Sequence, residues 1–206
     1  MNPKVLSKSA WAVVRKLVIA DLMQTWVLAG GTGLALQLGH RVSNDLDFFT
    51  EEAFDAHAFR VILERLGRLH IQAQDADTLH TQLDEVRLSF LRSEAPFLFQ
   101  ASEYRGLRIA DPRDIAAMKI VAIGGRGSRK DFVDLYAYLE AGGDFLALIE
   151  ILRRRYAKTS FNEMHLLRSL VYFDDAEQEP MPKMIHRTSW SEMRSRLEKE
   201  ARRFSP

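Results

Sequence analysis

The spacing of apolar residues changes twice along this chain, and those changes limit its fold more than any other feature. Residues 7–24 carry Trp11, Val14, Leu17, Val18 and Leu22 at helical spacing, with a polar back. A short apolar run at 26–29 stops at Gly30-Gly31, and residues 32–38 then read as a helix closed by Gly39. Residues 46–49 read as a second strand, and 56–69 as a helix through Phe59, Ile62, Leu63 and Leu66. Period two then takes over. Residues 70–74 alternate, 86–91 alternate more clearly, and 97–101 and 107–110 read as further strands or edges. After Asp111-Pro112, a cap and a first helical residue, the pattern is helical again. It predicts helices over 112–123 (stopped by Gly124-Gly125), 128–140 (closed by Gly142-Gly143), 145–156, 162–173 and 189–203, the last capped by Ser189. Residues 174–182, acidic and holding two prolines, read as a loop. This order predicts an α+β fold, a mixed β-sheet core flanked by helices with a helical C-terminal part, divided as 1–140 and 141–206.

Composition excludes several function classes. The 206 residues include no cysteine, so a disulfide scaffold, a thiolate zinc site and a cysteine nucleophile are out. Lys and Arg total 29 against 28 Asp and Glu, so overall charge names no polyanionic partner. Residues 153–206 hold 12 basic and 8 acidic residues, a mildly basic end. Arg153-Arg154-Arg155 and Arg194, Arg196, Lys199, Arg202 and Arg203 read either as an RNA-facing surface or as a solvated face paired with the interleaved Glu192, Glu198 and Glu200. No apolar run reaches the roughly 18 residues a membrane span needs, and a cytoplasmic protein is expected.

The chemistry concentrates between residues 28 and 50. A strand ending in Gly30-Gly31 lets backbone approach a ligand without an intervening Cβ. The helix start that follows offers free N–H groups and a positive dipole end, suited to phosphate, and Thr32 adds a hydroxyl. Asp45 and Asp47 lie two residues apart in a strand-like segment, hence on one face. Two such carboxylates repel unless a cation sits between them. A hard ion such as Mg²⁺ accepts one or two carboxylates together with phosphate oxygens and water. Each half alone is a common turn or a solvated edge; together, in strand–turn–helix–strand order, they are the minimum equipment for transfer at a nucleotide phosphate. The Gly-Lys-Ser/Thr ending of a Walker loop is absent, and Gly30, Gly31 and Gly33 do not fit the dinucleotide fingerprint.

Gly30-Gly31-Thr32 followed by His40-Arg41-x-Ser43-x-Asp45-x-Asp47-Phe48-Phe49 resembles the signature of the AbiEii/AbiGii-type minimal nucleotidyltransferases, the toxins of type IV bacterial toxin–antitoxin and abortive-infection systems. The resemblance extends to Asp114-x-x-Ala117-x-Lys119 and to Arg126-Gly127-x-x-Lys130-Asp131-x-x-Asp134-Leu135-Tyr136, and so covers about residues 26–139. It implies a nucleotidyltransferase-like fold and transfer of a nucleotide from an NTP, with loss of pyrophosphate, to an acceptor, an RNA such as a tRNA 3′ end. It also implies a cognate antitoxin as partner. On that resemblance Gly30, Gly31, Thr32 and Ser43 belong to the nucleotide site and Asp45 and Asp47 hold Mg²⁺. Lys119 meets the nucleotide or its phosphates, and Asp131 belongs to the active-site wall.

The residues themselves leave alternatives. Lys119 borders an apolar helical stripe and reads equally as a snorkelling surface lysine. Asp131 reads also as a cap or a surface partner of Arg126 or Arg129. Arg41 reads as a brace for Asp45 or Asp47 or as a surface arginine, and Ser43 as a loop hydrogen bond or a turn serine. Gly124 to Lys130 is a basic, glycine-rich connection, either a phosphate contact or a flexible turn. Many nucleotidyltransferases carry a third acid on a neighbouring strand. In the 86–91 strand Ser89 occupies the expected place, with Asp84 or Glu85 as substitutes if the hairpin is shifted. That departure keeps a second reading open: a non-catalytic NTP-binding or partner-binding module on the same fold.

Overall fold

The computed structural model describes residues 1–159 and 162–203. A short 3-10 turn, Pro3–Val5, leads into α1 (Lys8–Ile19), which starts where Ser7 accepts a hydrogen bond from the Ala10 N–H. Then follow β1 (Val27–Leu28), α2 (Gly30–Leu38), β2 (Leu46–Thr50), α3 (Ala56–Glu64), β3 (Leu69–Gln74), β4 (Thr78–Leu83), β5 (Val86–Arg92), β6 (Ser102–Tyr104) and β7 (Leu107–Ile109). The remainder is helical: α4 (Pro112–Arg126), α5 (Arg129–Glu140), α6 (Phe145–Arg155), α7 (Glu163–Ser169), α8 (Asp174–Gln178) and α9 (Trp190–Arg202).

The strands form one seven-stranded mixed sheet in the order β3-β4-β5-β2-β1-β7-β6. β2 runs parallel to β5, and β1 parallel to β7; the other pairs are antiparallel. Alternation decides which face is covered. Leu46 and Phe48 of β2 and Leu88 and Phe90 of β5 are buried with Val13, Val14 and Leu17 of α1 and Leu63 of α3. Asp47 and Ser89, one residue out of phase, therefore face the other side. A second apolar cluster is helical, joining Ile120 of α4, Phe132 and Leu135 of α5, Leu152 of α6 and Leu197 of α9. The two clusters hold α4 and α5 opposite the open face of β2 and β5, which is where the site forms. No described helix is long and apolar enough to cross a membrane.

Several boundaries differ from those read in the sequence. The helices expected over 7–24 and 56–69 end at Ile19 and Glu64. Strands β4 and β6 were not expected. β4 buries Leu79, Thr81 and Leu83, and the threonine at the middle inward position hides its alternation. Residues 97–101 form no strand, because the Leu98 and Phe99 N–H groups donate to the Asp114 carboxylate and that of Phe97 to Glu51. Gly124-Gly125 does not stop α4, which continues to Arg126 and ends at Gly127 in the left-handed conformation, φ +58°. A Cβ at position 124 would lie 2.3 Å from Leu166 Cδ2, so this glycine lets α7 pack against α4. The 174–182 loop begins as α8, its prolines lying beyond the helix. Arg155 is not on an RNA-facing surface: it is buried, donating to Asp114 at 2.9 Å and to the Pro96 carbonyl. Arg153, Arg194, Arg196 and Arg203 are ion-paired to glutamates.

Candidate active site

The first strand–helix junction is built tightly against β2. β1 pairs antiparallel with β2, and the Ala29 N–H donates to the Asp47 carbonyl at 2.9 Å. Gly30 then sits against the Asp47 side chain with φ +60°; a Cβ there would come within 2.6 Å of Asp47 Oδ2. At Gly31 a Cβ would lie 2.0 Å from Arg41 Nη2. The two glycines thus make room for a carboxylate and a guanidinium. Because that guanidinium is fixed by Asp134, Gly31→Ala forces displacement of a buried ion pair. A loss of about 1–3 kcal/mol is expected, the usual cost of overpacking, read as a lower urea midpoint; an unchanged midpoint would show that Arg41 is free to move.

Thr32 is fully buried. Its hydroxyl donates to the Asp45 carbonyl at 2.5 Å and lies 2.8 Å from Ser43 Oγ. One hydroxyl proton serves one acceptor, so Ser43 donates to Thr32. This pair ties the α2 start to the segment that carries Asp45. The Asp45 carboxylate is part-exposed and accepts from Arg87 Nε at 2.9 Å. The Asp47 carboxylate makes no hydrogen bond or ion pair with any described residue.

Behind the two acids lies a buried charge cluster. Asp134 of α5 accepts from Arg41 Nε at 2.6 Å, Arg41 Nη2 at 2.9 Å and His40 Nε2 at 2.8 Å, and pairs with Lys119 Nζ at 2.6 Å. Asp131, one turn earlier, takes Lys119 Nζ at 2.7 Å and Arg126 Nε at 2.7 Å. Burial pushes the Asp134 carboxyl up, but Lys119 and Arg41 reverse that and hold it well below the ordinary carboxyl value. Asp131 is shifted the same way against its own burial, by Lys119 and Arg126. Burial also opposes the Lys119 ammonium, and Asp134 and Asp131 outweigh it, so its pKa lies above the ordinary lysine value. A depressed carboxyl adds stability that is complete above its unfolded value near 3.8 and is lost as pH falls towards the folded value. Denaturant midpoints of the wild type are therefore expected to fall more steeply below about pH 4 than those of Asp134→Asn. Parallel acid limbs would show that the cluster does not set the acid slope.

The arrangement sorts the residues picked out in the sequence. Gly31, Ser43, Asp45, Asp47 and Lys119 line one pocket of about 240 Å³, joined by Arg41, Gln72, Arg87, Ser89, Arg126 and Lys130. Gly30 abuts Asp47, while Thr32 and Asp131 stand behind the wall. Lys119 is no snorkelling residue; it is buried between two aspartates. Arg41 braces Asp134, not Asp45 or Asp47. Arg129 donates to the carbonyls of Ala176 and Glu177 and leaves Asp131 to Arg126 and Lys119. Asp84 sits in the β4–β5 turn, paired with Lys16, and does not substitute for an acid on β5. The sequence places His40 and Asp134 in its motifs and Arg87 on the 86–91 strand but assigns none of them a role in the site. The spacing of Asp131 and Asp134, three apart on a helix, was the available signal for the second acid.

Five cationic side chains line the pocket; Asp131 and Asp134 pair three of them from behind and Asp45 pairs Arg87, and together they suit phosphate oxygens. Asp45 and Asp47 fit a hard divalent ion: both are oxygen donors, and the Asp47 carboxylate makes no ion pair with a described residue, Arg126 acting on it only at longer range. Among the described residues no group of three or more His, Cys, Asp or Glu could hold a metal, so phosphate oxygens and water would complete the coordination.

The fold is that of nucleotidyltransferases. Similar folds occur in JHP933 from Helicobacter pylori (18% identical, TM-score 0.54, covering 96% of this chain and 92% of that one) and in MenT4, the nucleotidyltransferase toxin Rv2826c from Mycobacterium tuberculosis H37Rv (14%, 0.59, 92% and 81%). The antibiotic-resistance factor ANT(2'')-Ia is similar over 74% of this chain and 94% of its own (14%, 0.55). The chain matches the nucleotidyl transferase AbiEii toxin family, type IV TA system, over residues 11–109 and 91–205, and belongs to that family. It is also 37% identical to the protein aq_aa25 of Aquifex aeolicus (strain VF5) over 179 residues, 84% of this chain and 86% of the relative.

Proposed function

We propose that this nucleotidyltransferase moves a nucleotide from an NTP to an RNA acceptor such as a tRNA 3′ end, using Mg²⁺ held by Asp45 and Asp47. It acts in the cytoplasm as a toxin restrained by a cognate antitoxin. The observation that carries the reading is the unpaired Asp47 carboxylate at the mouth of a cation-lined pocket. Bound Mg²⁺ supplies charge neutralisation at the reacting phosphate and a template for the triphosphate. The chain's own residues do the rest. Gly30 and Gly31 let backbone N–H groups approach the triphosphate. Ser43 lines the nucleotide pocket, and Thr32 fixes the Asp45 segment from behind. Lys119, Arg126 and Lys130 offset charge on the departing pyrophosphate, and Asp131 holds the first two in place. Arg87, released from Asp45, turns to the phosphates. All of these residues lie in the proposed core, 1–140. The proposed extension, 141–206, buttresses it: the Val42 N–H donates to the Lys183 carbonyl at 2.8 Å, and Glu179 accepts from Ser128 and Arg129.

The test is incubation with each of the four α-labelled NTPs, Mg²⁺ and total tRNA. Label is expected in RNA from one or two of the NTPs and is expected to vanish with a chelator. Label confined to protein, or none from any NTP, would contradict the reading.

A further inference from the structure

The open face of the sheet carries a second juxtaposition that the roles above do not use. Ser89 of β5 lies in parallel register with Asp47, and His80 of β4 lies in antiparallel register with Ser89. The three side chains cross neighbouring strands on one face, in the order acid, hydroxyl, imidazole. His80 Nδ1 is 3.1 Å from Ser89 Oγ, and Ser89 lines the pocket. The face of β5 towards the pocket offers Arg87, Ser89 and Leu91 and no acid. A serine alone is a poor proton acceptor at neutral pH. A serine backed by an imidazole is a competent one, because the proton it takes is passed on as it arrives.

We infer that Ser89 and His80 form the proton relay for the acceptor hydroxyl, in the place where other nucleotidyltransferases use a third carboxylate. The inference rests on nucleotide transfer at Asp45 and Asp47. As the acceptor oxygen bonds to the α-phosphorus, the bond from phosphorus to the pyrophosphate oxygen breaks and its electron pair leaves with pyrophosphate. The acceptor O–H proton passes to Ser89 Oγ while the Ser89 proton passes to His80 Nδ1. The imidazolium then returns a proton to solvent, which restores the neutral ring. His80 is half-buried with a path to water. The ionisable groups facing it are few: His70 of β3 and Arg87 of β5 share its face, and Arg126 and Lys130 stand across the pocket. The carboxylate on that face, Asp47, stands one strand further on, beyond Ser89. Asp45, the nearest acid along Arg87, is already paired with that arginine.

Ser89 touches the reacting hydroxyl; His80 acts through Ser89. Transfer of α-labelled nucleotide to total tRNA in Mg²⁺ is the assay. His80→Gln and Ser89→Ala are each expected to lower kcat on the order of 100-fold, the scale of one general base, with KM for the NTP within about twofold. The acid limb of the wild-type kcat profile should be missing in His80→Gln. Adding Ser89→Asp to His80→Gln should recover at least tenfold of the loss, since it restores a carboxylate beside Asp47. Independently of turnover, nitrogen-15 NMR of the resting protein should find the neutral His80 ring protonated at Nε2, with Nδ1 free to accept. The Nδ1–H tautomer, or His80→Gln at the wild-type rate with the same pH profile, overturns the relay. If Asp47→Asn abolishes transfer while both relay variants keep it, the reading of the site stands and the relay falls. A wild type that transfers nothing removes both.

Discussion

Asp134→Ala is expected to destabilise the protein by about 3–5 kcal/mol, the scale of a buried pair that loses one partner. In a chain of this length that is a fall in melting temperature of roughly 6–20 °C. The size follows from what remains behind. Arg41 and Lys119 are both buried, and Asp134 takes two guanidinium bonds, one ammonium and one imidazole. Removing it leaves an arginine without a carboxylate and forces Lys119 onto Asp131 alone. Arg92–Asp77 is the contrast, an exposed pair at 3.3 Å. Asp77→Ala should cost less than about 1 kcal/mol, because solvent screens such pairs. Urea denaturation of the two variants side by side decides the matter. Similar midpoints would mean that the buried cluster contributes no more than a surface pair.

That cluster also marks how far the sequence could be read. Features fixed by neighbours a few residues apart were legible: Gly39 as the cap of α2, the Asp111-Pro112 start of α4, and Ser189 as the cap of α9. The α+β class followed from the change of period, and the two motif acids and glycines followed from order and spacing. The partners of Asp134 lie 93 and 94 residues away at Arg41 and His40, and no local pattern encodes such a contact. Lys119 in an apolar stripe looks the same whether it reaches water or a buried carboxylate. The face presented by Ser89 was legible from the alternation of its strand. Its place beside the acid pair was expected as well; its other neighbour, His80, was not, because strand β4 was hidden by the buried Thr81.

The second large effect is on activity. Asp47 makes no hydrogen bond or ion pair with a described residue and meets Arg126 only through longer-range attraction, so Asp47→Asn is expected to leave stability in the absence of metal within about 0.5 kcal/mol, the range of a substitution away from packed or paired groups. Relief of repulsion from Asp45 acts in the stabilising direction. Transfer depends on the carboxylate itself, since an amide oxygen is a weaker ligand for a hard cation and leaves the site one negative charge short. Loss of metal-dependent charge stabilisation, several kcal/mol at the transition state, corresponds to a fall on the order of 10³-fold. The measurement is single-turnover transfer of α-labelled nucleotide to tRNA by wild type and Asp47→Asn at matched melting temperature, with and without Mg²⁺. Mg²⁺-dependent transfer by the wild type and its near-complete loss in the variant is the expected result. Equal transfer by the two proteins would contradict a cation held between Asp45 and Asp47.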